Sequence, residues 1–439
     1  MFQLDGKGGL VTPGGLYQRV YDAIVAAGYQ VTVSDFREYF NEEPDLSRLP
    51  ILRPGQDAIL APVLTSTCGV IEAPTGGGKS FLMRTLALLF PTAKIVIATP
   101  GKDLVNEHAA SMREVFAFDE VGVIGGGSDQ QGRRITVATS ASLDKVDLEG
   151  CDFLIFDEVH RAAAPKTAQA LARARRARMY GFSATPYGRG DNADLETEAL
   201  FGPRIVEKTY QEVQQESESL TDMECFIFDA GGCKEMQGLQ GVQLNRHAVW
   251  RNKERNQLIV YAIEWAFRQF GEDIQILVAV DTTQHAVYLG NLLPSFTKVY
   301  ALSNDDKWEM YERQKLVPPG SKPMTSNQRE QARLDFKAGK LRRAISTGVW
   351  STGVNFPELS VLVRAEACGN AIKNTQWPGR ATRRTDTKDT SYIIDFDDKF
   401  ERTLEGRAAR RLTVYRKKGW KITLMPGLLQ APAPLPTGL

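Results

Sequence analysis

Residues 69–90 read GVIEAPTGGGKSFLMRTLALLF, a short apolar run, a glycine-rich turn and a longer apolar run. The first run predicts a buried strand, and the second, from Phe81 to Phe90, predicts a helix. Glycines in the turn let backbone N–H groups curve around an anion, and the helix N-terminus adds partial positive charge. The stretch therefore predicts a phosphate-binding loop in a doubly wound α/β domain.

Side chains in this loop have the types that a nucleoside triphosphate requires. Lys79 suits the β- and γ-phosphates, and Ser80 suits Mg²⁺. The backbone cradle is expected from four residues, namely Thr75, Gly76, Gly77 and Gly78. Ala73 stands where the usual pattern has glycine, and a glycine-rich turn with an unrelated lysine is the alternative. The expected cofactors are ATP and Mg²⁺.

An acidic pair, Asp157 and Glu158, directly follows a second apolar run, Phe153–Phe156. Parallel strands end at one edge of the sheet, so we expect the pair beside the phosphate loop, on a neighbouring strand. Asp157 would hold Mg²⁺ through water, and Glu158 would act as the general base. The alternative is an acidic turn that caps the next helix.

Two further stretches suggest a coupled site. Ser183 and Thr185 end a strand predicted over residues 179–182, and their hydroxyls could link hydrolysis to domain movement. Arg380 and Arg383 are three residues apart, so they could project from one helix face toward developing phosphate charge. An ordinary loop and a solvated helix face are the alternatives, but the phosphate loop in the other domain favours an arginine finger.

Length and composition limit the class of protein. A chain of 439 residues predicts two or three domains, and 54 basic against 53 acidic residues argue against a generally basic nucleic-acid coat. The five scattered cysteines predict neither a disulfide framework nor a zinc site. The N-terminus lacks signal-peptide features and no apolar run reaches about 20 residues, so we expect a cytoplasmic protein without a membrane partner.

Changes of pattern along the chain predict its domains. Residues 1–45 are predicted to form an accessory domain, with a helix near Tyr17–Val25 and a strand at 30–33, and a packing extension of the next domain is an even alternative. The first α/β domain covers 46–205 and a linker with the next domain's first strand covers 206–250. The second α/β domain covers 251–425 and a flexible tail covers 426–439.

Taken together, the motifs resemble those of superfamily 2 helicases over roughly residues 50–400. The resemblance implies two RecA-like domains with ATP in the cleft between them. It also implies the DEVH form of motif II, residues 157–160. The resemblance implies further site residues as well. Arg53 and Gln56 would lie at the adenine, and Gly353 and Asn355 belong to motif V. Motif VI contributes Gln376, Arg380 and Arg383, and His160, Ser183 and Thr185 would couple hydrolysis to movement.

Nucleic-acid contacts follow from the same resemblance. They are expected from Thr99, Lys102, Thr139, Ser140, Thr282, Thr347 and Thr352. Hydroxyls and helix-start amides suit phosphates, so binding should be independent of sequence and sensitive to salt. Two basic stretches could contribute. A solvated helix face is favoured for 173–178, and DNA contact is an even alternative for 407–420, with Tyr415 and Trp420 as stacking residues.

Within the superfamily, the chain is most similar to the phage UvsW-like branch, near XPB-like motors. The compact size, residues 251–256 and residues 394–397 carry this likeness. It implies a monomeric DNA helicase or translocase that moves on duplex or branched DNA. An ATP-gated DNA-binding module without strand separation and an RNA helicase are the alternatives.

Overall fold

The structure is a computed structural model, and it divides the chain into two compact units, Met1–Ser217 and Glu218–Leu439. The division falls inside the segment 206–250, which the sequence predicts as a linker. The structure describes residues 3–4, 9–35, 39–188, 193–217, 219–233, 238–301, 305–350, 356–370, 374–375 and 377–427.

The first unit alternates strands and helices from residue 56 onward. Its strands are β1 Gln3–Leu4, β2 Leu10–Val11, β3 Cys68–Glu72, β4 Ile95–Thr99, β5 Val121–Gly125, β6 Ser128–Asp129, β7 Ile135–Thr139, β8 Phe153–Asp157, β9 Arg178–Ser183 and β10 Arg204–Glu207. Its helices are α1 Tyr17–Ala26, α2 Gln56–Thr65, α3 Lys79–Leu89, α4 Lys102–Arg113, α5 Pro165–Leu171, α6 Ala193–Phe201 and α7 Tyr210–Ser217.

The main sheet of this unit has the order β10-β3-β9-β8-β4-β7-β5-β6, and all pairings are parallel except β5 with β6. Its predicted parallel, doubly wound character is therefore confirmed. The sequence analysis expected the acidic strand β8 to be a neighbour of the loop strand β3, and this expectation is wrong. β9 lies between them, because the order of strands depends on crossovers that local patterns do not specify.

Each central strand divides its apolar residues between two cores. Ile95 and Ile97 pack in the cluster with α2, α3 and α4, whereas Val96 and Ala98 pack in the cluster on the other side. Successive strand side chains point to opposite faces, so a continuous apolar run fits a sheet that is covered on both sides. Because both faces are packed, the strand ends have fixed positions, and so do the starts of the loops that follow them.

The N-terminal segment packs on the first unit through a short 3-10 helix, Gly14–Leu16. A Cβ at Gly15 would lie 2.0 Å from the carbonyl oxygen of Glu198, so only glycine permits this approach. Arg19 on α1 forms an ion pair with the Glu198 side chain. The predicted α1 is confirmed, but residues 30–33 form no strand, since an isolated apolar run lacks a pairing partner there.

The second unit also alternates strands and helices. Its strands are β11 Asp222–Phe228, β12 Gln275–Ala279, β13 Thr297–Val299, β14 Arg343–Ser346, β15 Leu359–Arg364, β16 Thr390–Phe396 and β17 Lys421–Met425. Its helices are α8 Gly241–Leu244, α9 Lys253–Phe270, α10 Thr283–Leu292, α11 Asp305–Arg313, α12 Ser326–Lys337 and α13 Arg402–Lys417.

Every pairing among these strands is parallel, in the order β13-β14-β12-β15-β16-β11-β17. As in the first unit, alternate residues of one strand serve different cores, with Val278 in one and Leu277 in the other. Among the described residues, no helix combines the length and apolar character needed to cross a bilayer.

A buried ionic network joins α9, β15, β16 and α13 in the second unit. Arg255 binds Asp398 with an Nε–Oδ1 distance of 2.8 Å, and Arg411 binds Asp395 with an Nε–Oδ2 distance of 2.8 Å. The guanidinium of Arg364 binds the Glu366 carboxylate. These three arginines and three carboxylates are all buried, and their formal charges balance. Full pairing is what makes such burial tolerable.

The network corrects the interpretation of the basic stretch 407–420. Tyr415 is buried, and its hydroxyl donates to Asp395 at 2.7 Å. Trp420 is also buried and stacks on Tyr415, and Arg411 is paired inside the unit. These side chains belong to the core and do not form a stacking surface for nucleic acid. Arg410, Arg416 and Lys417 are the exposed cations of α13 in this stretch.

Replacing Asp398 with alanine should destabilise the second unit by about 3–5 kcal/mol, because it leaves the buried guanidinium of Arg255 without its carboxylate partner, while Arg411 keeps Asp395. Thermal and denaturant unfolding would measure the loss. Glu272→Ala is the matched control, since Glu272 pairs with Arg343 at an exposed site and should cost less than about 1 kcal/mol. Equal effects from the two variants would contradict the importance of the buried network.

Candidate nucleotide-binding site

The predicted phosphate loop connects β3 to α3 in the first unit. Gly76 and Gly78 have φ angles of +87° and +81°, a conformation that side chains with a Cβ rarely adopt. α3 begins at Lys79, and no side chain caps its N-terminus. The loop therefore presents a glycine-shaped turn and an uncapped helix start, the two features that bind phosphate.

The side chains around the loop contact its backbone. Lys79 Nζ donates to the carbonyl oxygens of Ala73 at 3.1 Å and Pro74 at 3.2 Å. The Gln56 side chain packs closely against Gly78, since a Cβ added at that glycine would lie 2.3 Å from Gln56 Nε2. Its Oε1 accepts the backbone N–H of Arg53 at 2.9 Å. The structure thus places the expected adenine-side glutamine beside the loop.

Asp157 ends β8 and is almost completely buried. Its Oδ1 accepts the N–H of Glu158 at 3.0 Å, and its Oδ2 lies 2.9 Å from His108 Nε2. Burial raises the pKa of Asp157, but the bond and charge of His108 and the charge of Lys79 lower it more. For His108, burial lowers the pKa and Asp157 raises it, with a net upward shift. Both directions favour an ionised pair.

Glu158 follows with φ of +57°, a left-handed conformation that is uncommon for a residue other than glycine. Its Oε2 accepts the Ser183 hydroxyl at 3.2 Å. The same hydroxyl lies 3.2 Å from His160 Nδ1 and accepts the N–H of Thr185 at 3.1 Å. The three predicted coupling residues therefore lie together around the predicted general base.

Chemical complementarity supports a nucleotide with a hard cation at this edge. Lys79 carries one positive charge, and the Ser80 hydroxyl and the Asp157 carboxylate offer oxygen atoms of the kind that Mg²⁺ prefers. Within the described part of the chain, no cluster of three His, Cys, Asp or Glu side chains could hold a metal alone. Mg²⁺ commonly takes one or two protein ligands and completes its shell with water and phosphate, so the residues fit it.

Motif VI of the second unit departs from the predicted geometry. A 3-10 helix ends at Arg380, and Arg383 lies beyond it in a β-bridge with Leu220. Arg380 is buried and Arg383 is exposed, so the two do not share a helix face. The Pro378-Gly379 pair favours only a short turn here. Four predicted site residues lie outside the described residues, namely Thr352, Gly353, Asn355 and Gln376.

Part of the expected nucleic-acid surface converges at the ends of β4, β5 and β7. The Lys102 side chain is exposed and lies against Gly126. A Cβ added at that glycine would lie 2.8 Å from the lysine side chain. Thr139 donates to Ser142 at 2.9 Å, and a Cβ at Gly125 would meet both hydroxyls. Ser140 follows, half-buried. These glycines permit close packing of the surrounding side chains.

Three other predicted contacts have different surroundings. Thr99 is fully buried and its hydroxyl has no hydrogen-bond partner among the described atoms, so its side chain does not reach the surface. Thr282 caps α10 by accepting the N–H of His285 at 3.3 Å. Thr347 is largely buried. Because Thr99 and Thr347 are buried, the structure does not present all three of these hydroxyls outward.

The basic stretch 173–178 follows α5 as an irregular segment that enters β9 at Arg178, not as the predicted helix face. Arg173 donates to the carbonyl oxygens of Asp144 and Val146, each at 3.4 Å. Arg176 pairs with Asp152, and Arg178 donates to the carbonyl oxygen of Phe40 at 2.7 Å. Local structural bonds therefore occupy these three arginines.

Sequence reasoning missed His108. It lies on the inward side of α4 together with Val105, Ala109 and Met112, all of which are buried. A polar residue at an apolar position of a helical pattern was the available signal.

Two family models match the chain in order. The one described as "Type III restriction enzyme, res subunit" matches residues 50–188, and "Helicase conserved C-terminal domain" matches residues 275–385. The chain is 24% identical over 387 residues to the "DNA 3'-5' translocase XPB2" of Sulfurisphaera tokodaii, covering 80% of this chain and 86% of that protein. It is also 24% identical over 375 residues to "Probable helicase D10" of Escherichia phage T5, covering 82% and 74%.

A solved structure supports the fold. A fragment of a putative HsdR subunit of a type I restriction enzyme from Vibrio vulnificus matches with a TM-score of 0.61 and 16% identity, over 97% of this chain and 78% of that chain. The predicted pair of RecA-like domains is thereby confirmed. The similarity to an XPB translocase agrees with the XPB-like assignment, while the closer likeness to UvsW stays a prediction. The chain belongs to the superfamily 2 helicases and translocases, which are ATP-hydrolysing enzymes dependent on nucleic acid.

Proposed function

We propose that this chain couples ATP hydrolysis to movement on DNA and to unwinding or remodelling of duplex or branched DNA. One observation carries the ATPase part, the convergence of the phosphate loop, the acidic pair and Ser183 at one sheet edge. The DNA part is supported by the relatives, one of which is named as a DNA translocase.

In this proposal the first unit holds ATP through the loop backbone, the start of α3 and Lys79. Arg53 and Gln56 contact the base. Ser80 and Asp157 hold Mg²⁺, which when bound neutralises phosphate charge and polarises the transferring group. The Asp157 carboxylate is suited to this task because its burial and its bonds to Glu158 N–H and His108 fix its orientation.

Glu158 acts as the general base for the attacking water. Its bond with Ser183 orients the carboxylate, and Ser183 in turn contacts His160 and the Thr185 backbone. A change at Thr185 or His160 would therefore alter the position of Glu158. This chain of contacts offers a physical route between hydrolysis and the segments that follow β9.

We further propose that Arg380, Arg383 and Gln376 complete hydrolysis, with Gly353 and Asn355 assisting nucleotide binding. The order of these residues along the chain supports the assignment, since guanidinium groups suit developing phosphate charge. Lys102, Thr139 and Ser140 are assigned to the phosphate backbone of DNA in the first unit. Thr282, Thr347 and Thr352 are assigned to it in the second unit.

ATP turnover should rise with DNA and depend on Lys79. Single-stranded DNA, duplex, forked DNA and RNA of equal length are compared as activators, and triplex displacement measures movement. Lys79→Ala should reduce turnover by roughly 10²–10³-fold, because it removes a cation from the phosphates.

Turnover that survives Lys79→Ala would refute the role of that lysine. Stronger activation by RNA than by DNA would favour the RNA helicase alternative. DNA activation that does not depend on length, together with no triplex displacement, would favour a binding module.

Glu158→Gln should bind ATP as the unchanged protein does but hydrolyse it roughly 10²–10⁴-fold more slowly, the usual contribution of a general base. A fluorescent ATP analogue measures binding, and phosphate release measures turnover. Glu149→Gln is the matched control, because Glu149 precedes β8 at the opposite edge of the sheet. Normal turnover in Glu158→Gln would remove it as the base.

Lys102→Ala should weaken DNA binding about equally for all sequences. It should also reduce the slope of log affinity against log salt by about one, the value expected for the loss of one phosphate contact. Fluorescence anisotropy over a series of salt concentrations measures both. Lys94→Ala is the control, since Lys94 is exposed at the other end of β4. An unchanged salt slope in Lys102→Ala would show that this lysine does not touch phosphate.

A further inference from the structure

His108 links the helix that carries Lys102 to the carboxylate of Asp157. α4 begins at Lys102, and His108 lies six residues later on the same helix, a rise of about 9 Å. The imidazole is 2% exposed, and its Nε2 lies 2.9 Å from Asp157 Oδ2. One rigid element therefore has an exposed cation at its start and a contact with the hydrolytic site two turns later.

The hydrogen-bonding chemistry fixes which group donates. An ionised carboxylate only accepts, so Nε2 of His108 carries the proton in this bond. The other carboxylate oxygen accepts the N–H of Glu158 at 3.0 Å. Each oxygen of Asp157 thus has one donor from a different segment, and each keeps a further lone pair for a metal-bound water. A shift of α4 would move one of these two donors.

A role in packing alone does not explain the choice of histidine. The surrounding inward positions of α4 are Val105, Ala109 and Met112, and an apolar side chain would fill this position without burying a polar group. The His108 Nδ1 atom has no hydrogen-bond partner among the described atoms. The protein therefore accepts an unpaired buried nitrogen on this ring while keeping its bond to Asp157.

We propose that His108 is a positioning residue that couples DNA binding at the start of α4 to the placement of Asp157. The inference rests on the proposed DNA-dependent ATPase function. Phosphate contact at Lys102 biases the position of α4, and the His108 bond transmits that bias to the carboxylate that orients Mg²⁺ and its water. α4 also packs on β4, β5 and β7, so a contact at its start reaches Asp157 through continuously packed structure.

Three variants separate coupling from packing. His108→Ala removes the bond, and His108→Gln restores an N–H donor of similar reach. Met112→Ala removes a comparable buried side chain from the same helix, and methionine has no N–H to donate to Asp157, so this variant controls for lost volume. Measurements are thermal unfolding, DNA affinity, Mg²⁺-dependent binding of a fluorescent ATP analogue, and ATP turnover with and without single-stranded DNA.

His108→Ala should bind DNA normally but lose DNA stimulation of turnover by roughly tenfold, within the usual range of coupling between sites. It should also need more Mg²⁺ for half-maximal nucleotide binding, a readout that does not depend on turnover. His108→Gln should recover much of both properties. Met112→Ala should lower thermal stability while keeping the stimulation ratio of the unchanged protein.

An unaltered stimulation ratio in His108→Ala, or an equal loss in Met112→Ala, would overturn the coupling role. If His108→Ala does not fold, His108→Gln is compared with His108→Asn, whose amide is one methylene shorter, and equal ratios in these two would overturn it. Absence of DNA stimulation in the unchanged protein would instead refute the proposed function, and the coupling with it.

Discussion

The buried hydroxyl of Ser183 joins segments that are far apart in sequence, and the arrangement of the hydrolytic residues depends on it. It contacts Glu158, His160 and the Thr185 backbone, while the Ser183 carbonyl oxygen accepts the N–H of Ala73. β9 can make these contacts because it lies between the loop strand and the acidic strand. The position of one strand in the sheet therefore sets the spacing between phosphate cradle and base.

Much of the first unit follows from local patterns. The loop and acidic pair carry signals within a few residues, namely apolar runs, glycines that require positive φ, and a lysine at a helix start. Strand order is different, since it depends on how crossovers pack. For that reason the sequence predicted that β8 ends at the same edge but did not predict that β9 separates it from β3.

The errors share a physical cause, which is that side-chain burial depends on distant partners. Arg411, Tyr415 and Trp420 resemble an exposed basic and aromatic surface in sequence, because arginine is rarely buried alone. Their partners Asp395, Asp398 and Arg364 come from other elements and make burial possible. His108 shows the converse, since its inward position was visible but its carboxylate partner, 49 residues away, was not.

The position of β11 has a consequence for synthesis on the ribosome. This strand lies between β16 and β17, both supplied by the last fifty residues of the chain. At ordinary elongation rates, roughly ten to thirty seconds separate emergence of β11 from that of β16. During that interval its apolar residues, among them Ile227 and Phe228, have neither sheet neighbour available. An unpaired strand of this kind is prone to aggregate, so the nascent second unit exposes an aggregation-prone segment until β16 emerges.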